Sequence, residues 1–320
     1  MPRRTRAIPI VLFATIAALA VPVVPVSVAG ATPASVTLTK DVTVGAPPSS
    51  TFAGAASGDG WDVLFYRDRI LNVFHHGFQL VVDCHLQADG SHCDTVAGIS
   101  PWPKTVSSTA PVSDLTSPAH SSGWVDETNG NLYAWTSRSS DGTGGVACVD
   151  LNSSAANPFC GFTALTAAAP PQTDITTFGG RSMIGGNMLS YDLTTQKVLC
   201  FSTATASACP GQPFDVSIGG ITPLTGGWIN ASTLAADGKL FVHVDDDGNT
   251  GGVLTCFDPQ TSATCAGSWP QLIADSNPGA GSYIGAPFPF LSSSGTAIGV
   301  CLPYDTVDPC WDLTGAPIAT

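Results

Sequence analysis

The sequence predicts an all-β fold of about five four-stranded units arranged radially behind an export signal, and three observations carry that prediction. All ten cysteines fall into five close pairs: Cys84 with Cys93, Cys148 with Cys160, Cys200 with Cys209, Cys256 with Cys265 and Cys301 with Cys310. The first cysteines of successive pairs are 64, 52, 56 and 45 residues apart, near the length of a four-stranded unit. Between them, short apolar runs alternate with Asn-Gly and Asp-Gly, strong hairpin signals, and no segment carries an apolar period of 3.6 residues.

The chain opens with a basic stretch, Met1 to Arg6, then an apolar region near Ile8–Val28 and small residues ending Ala29-Gly30-Ala31. This is the layout of a secretion signal, residues 1–31, with cleavage expected after Ala31. An uncleaved anchor and a twin-arginine route through Arg3-Arg4 are the alternatives. Loss of Arg3, Arg4 and Arg6 reduces eleven basic residues to eight against 24 acidic ones, a net charge of −16. Such a surface repels nucleic acid and anionic membranes and leaves neutral, basic or cation-bridged partners. Export also places the cysteines in an oxidising compartment, where they read as disulfides. Four pairs share the spacing C-x8-C and one is C-x11-C. Each spans a single hairpin, so local pairing is expected, because facing positions on antiparallel strands lie within a disulfide's reach.

Residues 32–57 read as a linker or a ring-closing strand, with Val36–Thr39 and Val42–Val44 extended. Units fill residues 58–320. The first opens at Gly60-Trp61, turns at Asp68-Arg69, and continues through Ile70–Phe74 and Phe78–Cys84 to Cys93. The second runs from Gly123-Trp124-Val125-Asp126 through Asn129-Gly130, Leu132–Trp135, Asp141-Gly142 and Val146–Asp150 to Cys160. The fourth repeats that order, from Gly227-Trp228 through Asp237-Gly238, Lys239–Val242, Asp247-Gly248 and Val253–Asp258 to Cys265. The third, Ser182–Pro213, and the fifth, Tyr283–Asp312, are shorter and lack the Gly-Trp opening. Four-stranded meanders repeated at this period close radially into a β-propeller, with the disulfide between the third and fourth strands.

Three features make residues 58–315 resemble the cysteine-stapled, kelch-like or YVTN-like β-propeller regions of secreted bacterial surface proteins. They are the Cys-x-Asp of Cys148-Val149-Asp150 and Cys256-Phe257-Asp258, the recurring C-x8-C, and a glycine soon after the second cysteine, at Gly161, Gly211 and Gly267. The double-glycine and spaced Tyr-Trp signature of true kelch blades is not found in every unit. The resemblance implies repeat architecture and names no reaction, since propellers host lectins, adhesins, lyases, hydrolases and oxidoreductases.

His75-His76, His85 and His92 form the densest histidine cluster, and His85 and His92 beside Cys84 and Cys93 have zinc-ligand types. Four equivalent cysteine pairs without histidine favour a disulfide there instead, and no metal or cofactor is expected. Val244-Asp245-Asp246-Asp247-Gly248-Asn249 imitates a calcium loop but has His243 and Leu254 where oxygen ligands belong, which favours an acidic turn. Asp126 with Asp150, or Asp62 with Asp83, are the carboxylate pairs that glycoside chemistry would use, although an Asp at a strand end more often caps its own turn. Trp61, Trp124 and Trp228 recur at unit starts, with Trp102, Trp135, Trp269 and Trp311 elsewhere. Packing between units is the favoured role and sugar stacking the alternative. Asn152-Ser153-Ser154 and Asn230-Ala231-Ser232 match glycosylation acceptors and read as incidental.

No catalytic residues are assigned. These features imply a secreted or cell-surface, monomeric, non-enzymatic binding or adhesion module for an extracellular glycan or protein. An extracellular carbohydrate hydrolase or lyase, and a structural spacer of a longer surface protein, are the alternatives.

Overall fold

The computed structural model describes residues 61–76, 79–95, 102–106, 115–116, 123–138, 141, 143–155, 157–166, 178–193, 195–222, 231–245, 251–274, 286–303 and 308–318. The expected signal, residues 1–31, and the expected linker or closing strand, residues 32–57, lie outside them. Among the described residues the fold is all-β, with one 3-10 turn at Cys93–Thr95.

Five antiparallel sheets follow one another along the chain. The first holds β1 (Trp61–Tyr66), β2 (Arg69–His76), β3 (Gln79–Leu86) and β4 (Lys104–Val106); the second holds β5 (Leu115–Thr116), β6 (Gly123–Asp126), β7 (Asn131–Arg138), β8 (Gly144–Asp150) and β9 (Phe159–Ala164). The third holds β10 (Phe178–Ile184), β11 (Asn187–Asp192), β12 (Lys197–Ser202), β13 (Ser207–Ala208) and β14 (Phe214–Asp215). The fourth holds β15 (Ala231–Ala236), β16 (Lys239–Asp245), β17 (Gly251–Asp258), β18 (Ala263–Thr264) and β19 (Gln271–Ala274). The fifth holds β20 (Phe288–Leu291), β21 (Ala297–Cys301), β22 (Cys310–Asp312) and β23 (Pro317–Ile318).

Turn chemistry fixes the registers. Asp237 and Gly238 both have positive φ, 49° and 69°, the conformation of a two-residue hairpin turn, and Ala236 pairs with Lys239 across it. Gly185 and Gly186 do the same between Ile184 and Asn187. The first turn falls at Arg67-Asp68, one residue earlier than the sequence suggests, because Arg67 takes the left-handed conformation and Tyr66 pairs with Arg69.

Consecutive sheets pack face to face. Leu71, Val82 and Cys84 meet Leu132 and Val149 between sheets one and two. Trp135 and Val146 meet Leu199 and Phe201 between two and three. Tyr191 and Val198 meet Leu240, Val242 and Phe257 between three and four. Phe241, Leu254 and Trp269 meet Val300 and Trp311 between four and five. Strand β16 thus buries Leu240 and Val242 on one face and Phe241 on the other. That double burial is why it reads as a continuous apolar run. Chain-order packing of meanders is propeller-like.

Five disulfides join Cys84 to Cys93, Cys148 to Cys160, Cys200 to Cys209, Cys256 to Cys265 and Cys301 to Cys310. Their Cα separations run from 4.1 to 5.4 Å. They match an oxidising, extracellular type of environment. Among the described residues, no helix is long and apolar enough to cross a membrane.

Other details also differ from the sequence expectation. In the fifth sheet the staple joins β21 to β22, the second and third described strands, because Asp312–Ala316 forms a further hairpin that adds β23. In the third and fourth sheets the outer strand is two pieces: β13 and β14 share β12, while β18 and β19 share β17. Pro213 and Pro270 stand where the ladder lapses, and proline brings no N–H to a ladder.

Candidate functional site

A cavity of about 900 Å³ lies where the first three sheets converge. Alternation along β1 builds its first wall: Leu64 and Tyr66 turn into the core against the second sheet, so Val63 and Phe65 face the opposite way, 51% and 65% exposed. In β6, Gly123 and Val125 are buried, which turns Trp124 outward, 42% exposed, onto the cavity. Gly123 has no room for a side chain, since a Cβ there would lie 2.9 Å from Leu132 and 3.3 Å from Leu64. The turn after β6 adds Asp126, Glu127 and Thr128. Asp126 Oδ1 accepts the Thr128 N–H at 2.9 Å, and its carbonyl accepts the Gly130 N–H at 2.8 Å, so the carboxylate is held by its own turn. Met183 and the Gly185-Gly186 turn complete the third side, tied down by Thr203, whose hydroxyl donates to the Gly186 carbonyl at 2.8 Å.

Trp124 therefore departs from the packing role expected for the unit-opening tryptophans. Its neighbours in the strand are small or inward-facing, which leaves its ring on the cavity. The Trp61 side chain and Trp228 lie outside the described residues. Trp102, Trp135, Trp269 and Trp311 are buried between sheets and do serve packing.

The candidate carboxylate pairs sit on strands that other strands separate. Asp126 and Asp150 both register with Asn131, so strand β7 stands between them, and Asp150 Oδ1 is engaged by the Asn152 N–H at 2.9 Å. Asp83 pairs with Asn72, whose strand separates it from β1, the strand of Asp62.

Asp83 has another role. Its Oδ2 lies 3.0 Å from His85 Nε2 and its Oδ1 lies 2.6 Å from His92 Nε2. His92 Nδ1 reaches Asp94 Oδ1 at 2.7 Å, and His85 Nδ1 reaches the Gly90 carbonyl at 3.1 Å. Both nitrogens of both rings are committed within the hairpin, and both of its cysteines are in a disulfide. Among the described residues, no group of three or more His, Cys, Asp or Glu has a metal-holding arrangement. Burial opposes the charged form of His92, but hydrogen bonds to Asp94 and Asp83 outweigh it and hold its pKa above the usual value. His75 and His76 end β2, and their side chains lie outside the described residues, as do Asp246–Thr250 of the calcium-like loop.

A third cluster escaped the sequence reading. Ser232 and His243 face one another across β15 and β16, both buried. Ser232 Oγ and His243 Nε2 make no hydrogen bond, and His243 Nε2 lies 3.5 Å from Asp245 Oδ1. Burial pushes His243 down to about 4 and Asp245 up to about 7. The signal available was one histidine inside an otherwise apolar β-run, Leu240 to Val244.

No family model matches the chain, and no curated protein matches it. Solved structures that resemble it include the propeller of Dos1, at TM-score 0.44 and 12% identity over 81% of this chain and 57% of that one. An exo-β-1,3-galactanase from Phanerochaete chrysosporium gives 0.42 and 11% over 83% and 63%. An endo-arabinase from Bacteroides thetaiotaomicron gives 0.38 and 12% over 83% and 95%. The chain spans from about a third to just under two thirds of the first three structures it matches. At these identities and scores the likenesses transfer no activity.

Proposed function

We propose that the chain is an exported, disulfide-stapled β-propeller of five blades that binds an extracellular glycan, without turning it over, in the cavity between its first three sheets. The observation that carries this reading is the pair of exposed rings, Phe65 and Trp124, on a cavity of about 900 Å³. Large apolar rings held open to water mark a binding surface. The C–H face of a sugar covers such a ring, while its hydroxyls meet Asp126, Glu127, Thr128 and Thr203 at the border, the pattern of an apolar site with a few polar groups. In this reading residues 1–31 are the cleaved signal, residues 32–57 link or close the ring, and the monomer works at the cell surface. The test is to titrate the exported protein against intact cells, cell-wall polymer and a glycan panel while assaying released products. Saturable glycan binding without product supports the reading, and turnover overturns it.

One observation favours a second reading, an extracellular carbohydrate hydrolase or lyase. A carboxyl whose pKa is pushed to about 7 beside a neutral buried imidazole, as at Asp245 and His243, has the properties of a general acid or base. Turnover in the same panel that is lost in Asp245→Asn establishes this reading instead.

A further inference from the structure

We infer that the cavity's ligand is cationic, an amino-sugar chain of the 2-amino-2-deoxy type rather than a neutral or uronate polysaccharide; this rests on the cavity being the binding site proposed above. The cavity is acidic. The described lining contains two carboxylates, Asp126 and Glu127, and no lysine, arginine or histidine. Asp126 is oriented before any ligand arrives, because the Thr128 N–H holds its Oδ1. A uronate entering this site would bring like charge to both carboxylates, whereas a protonated sugar amine would meet them as an ion pair.

The rings favour the same ligand. Trp124 and Phe65 are exposed and line the cavity, and an aromatic ring attracts an ammonium as well as an apolar C–H surface. A neutral sugar gains only the second of these. An amino-sugar chain presents both in every residue, so successive residues satisfy rings and carboxylates together. A basic peptide carries the charge on a flexible stem and lacks the flat face, and it serves as a control. Long-range charge acts in the same direction. The whole chain carries a formal charge of −13, a field that gathers cations and turns away anions.

The test uses the full exported chain, titrated calorimetrically at about pH 6, where amines are protonated. The ligands are a glucosamine oligomer, its N-acetylated counterpart, a neutral glucose oligomer of equal length and a lysine-rich peptide. The expected result is binding of the glucosamine oligomer about tenfold tighter than either neutral oligomer, from two exposed ion pairs and a cation–π contact. Glu127→Gln should shrink that preference by several-fold, added salt should erode it, and Trp124→Ala should weaken all the oligomers. Equal affinity for amine and neutral oligomers overturns the charge inference while leaving a glycan site in place. Tighter binding of the peptide overturns the amino-sugar assignment. If no oligomer binds, or Trp124→Ala changes nothing, the cavity reading fails with it.

Discussion

Replacing Asp245 by Asn should make the protein more stable at about pH 8 and much less so at about pH 5. The carboxyl sits 3.5 Å from a buried, neutral imidazole, its side chain is 23% exposed, and burial raises its pKa from 3.8 to about 7. The folded state therefore holds this proton more tightly than the unfolded chain. The resulting stabilisation is fully present below the unfolded value near 4 and is lost as pH rises through about 7. A pKa raised from 3.8 to about 7 sets a ceiling of about 4 kcal/mol. Partial hydration of the carboxylate brings this to about 2 kcal/mol, or about 4 °C in Tm for a domain of this size. His92, whose raised pKa gives it the same sign of pH dependence, is unchanged in both proteins and cancels in their difference. Calorimetric melting of wild type and variant at the two pH values reads the effect directly. A variant no more stable than wild type at about pH 8, or a difference that does not grow with pH, would mean that burial does not hold this proton.

Other perturbations have equally definite outcomes. His92→Gln removes a ring whose charged form is held between Asp83 and Asp94, so the part of wild-type stability that fades as pH rises through the raised His92 pKa should be absent from its melting profile. Removing the Cys256–Cys265 staple as a double serine variant should cost about 2–3 kcal/mol, read in denaturant titration, because the loop it closes is short. Gly267→Ala should cost at least about 2 kcal/mol, since Gly267 has φ 117° and a Cβ there would stand 2.2 Å from the Thr314 carbonyl of the fifth sheet. Trp124→Ala should leave Tm within about 1–2 °C of wild type, because its ring is already 42% exposed.

The staples and turns were legible because they are local. A cysteine nine residues from its partner and an Asp237-Gly238 pair between apolar runs each specify a hairpin without reference to the rest of the chain. The broken outer strands were legible in principle, through Pro213 and Pro270. The cavity was not, because Phe65, Trp124 and Met183 meet only when three separately folded sheets pack together. Alternation in Trp61–Tyr66 showed apolar residues on both faces and left open which face a neighbour covers. Asp83 illustrates the same limit: the sequence offers it as half of a carboxylate pair with Asp62, and its observed partners are two histidines of its own hairpin.

Whether the cavity binds glycan is decided by the affinity of a Phe65→Ala, Trp124→Ala double variant for whichever glycan or cell surface the wild type binds, with its melting temperature recorded alongside. The double variant should lose at least about tenfold in affinity, since stacked aromatic contacts contribute roughly 0.5–1.5 kcal/mol each beyond their area, at nearly unchanged Tm. Wild-type affinity in a folded double variant would contradict it and move the binding site away from the cavity.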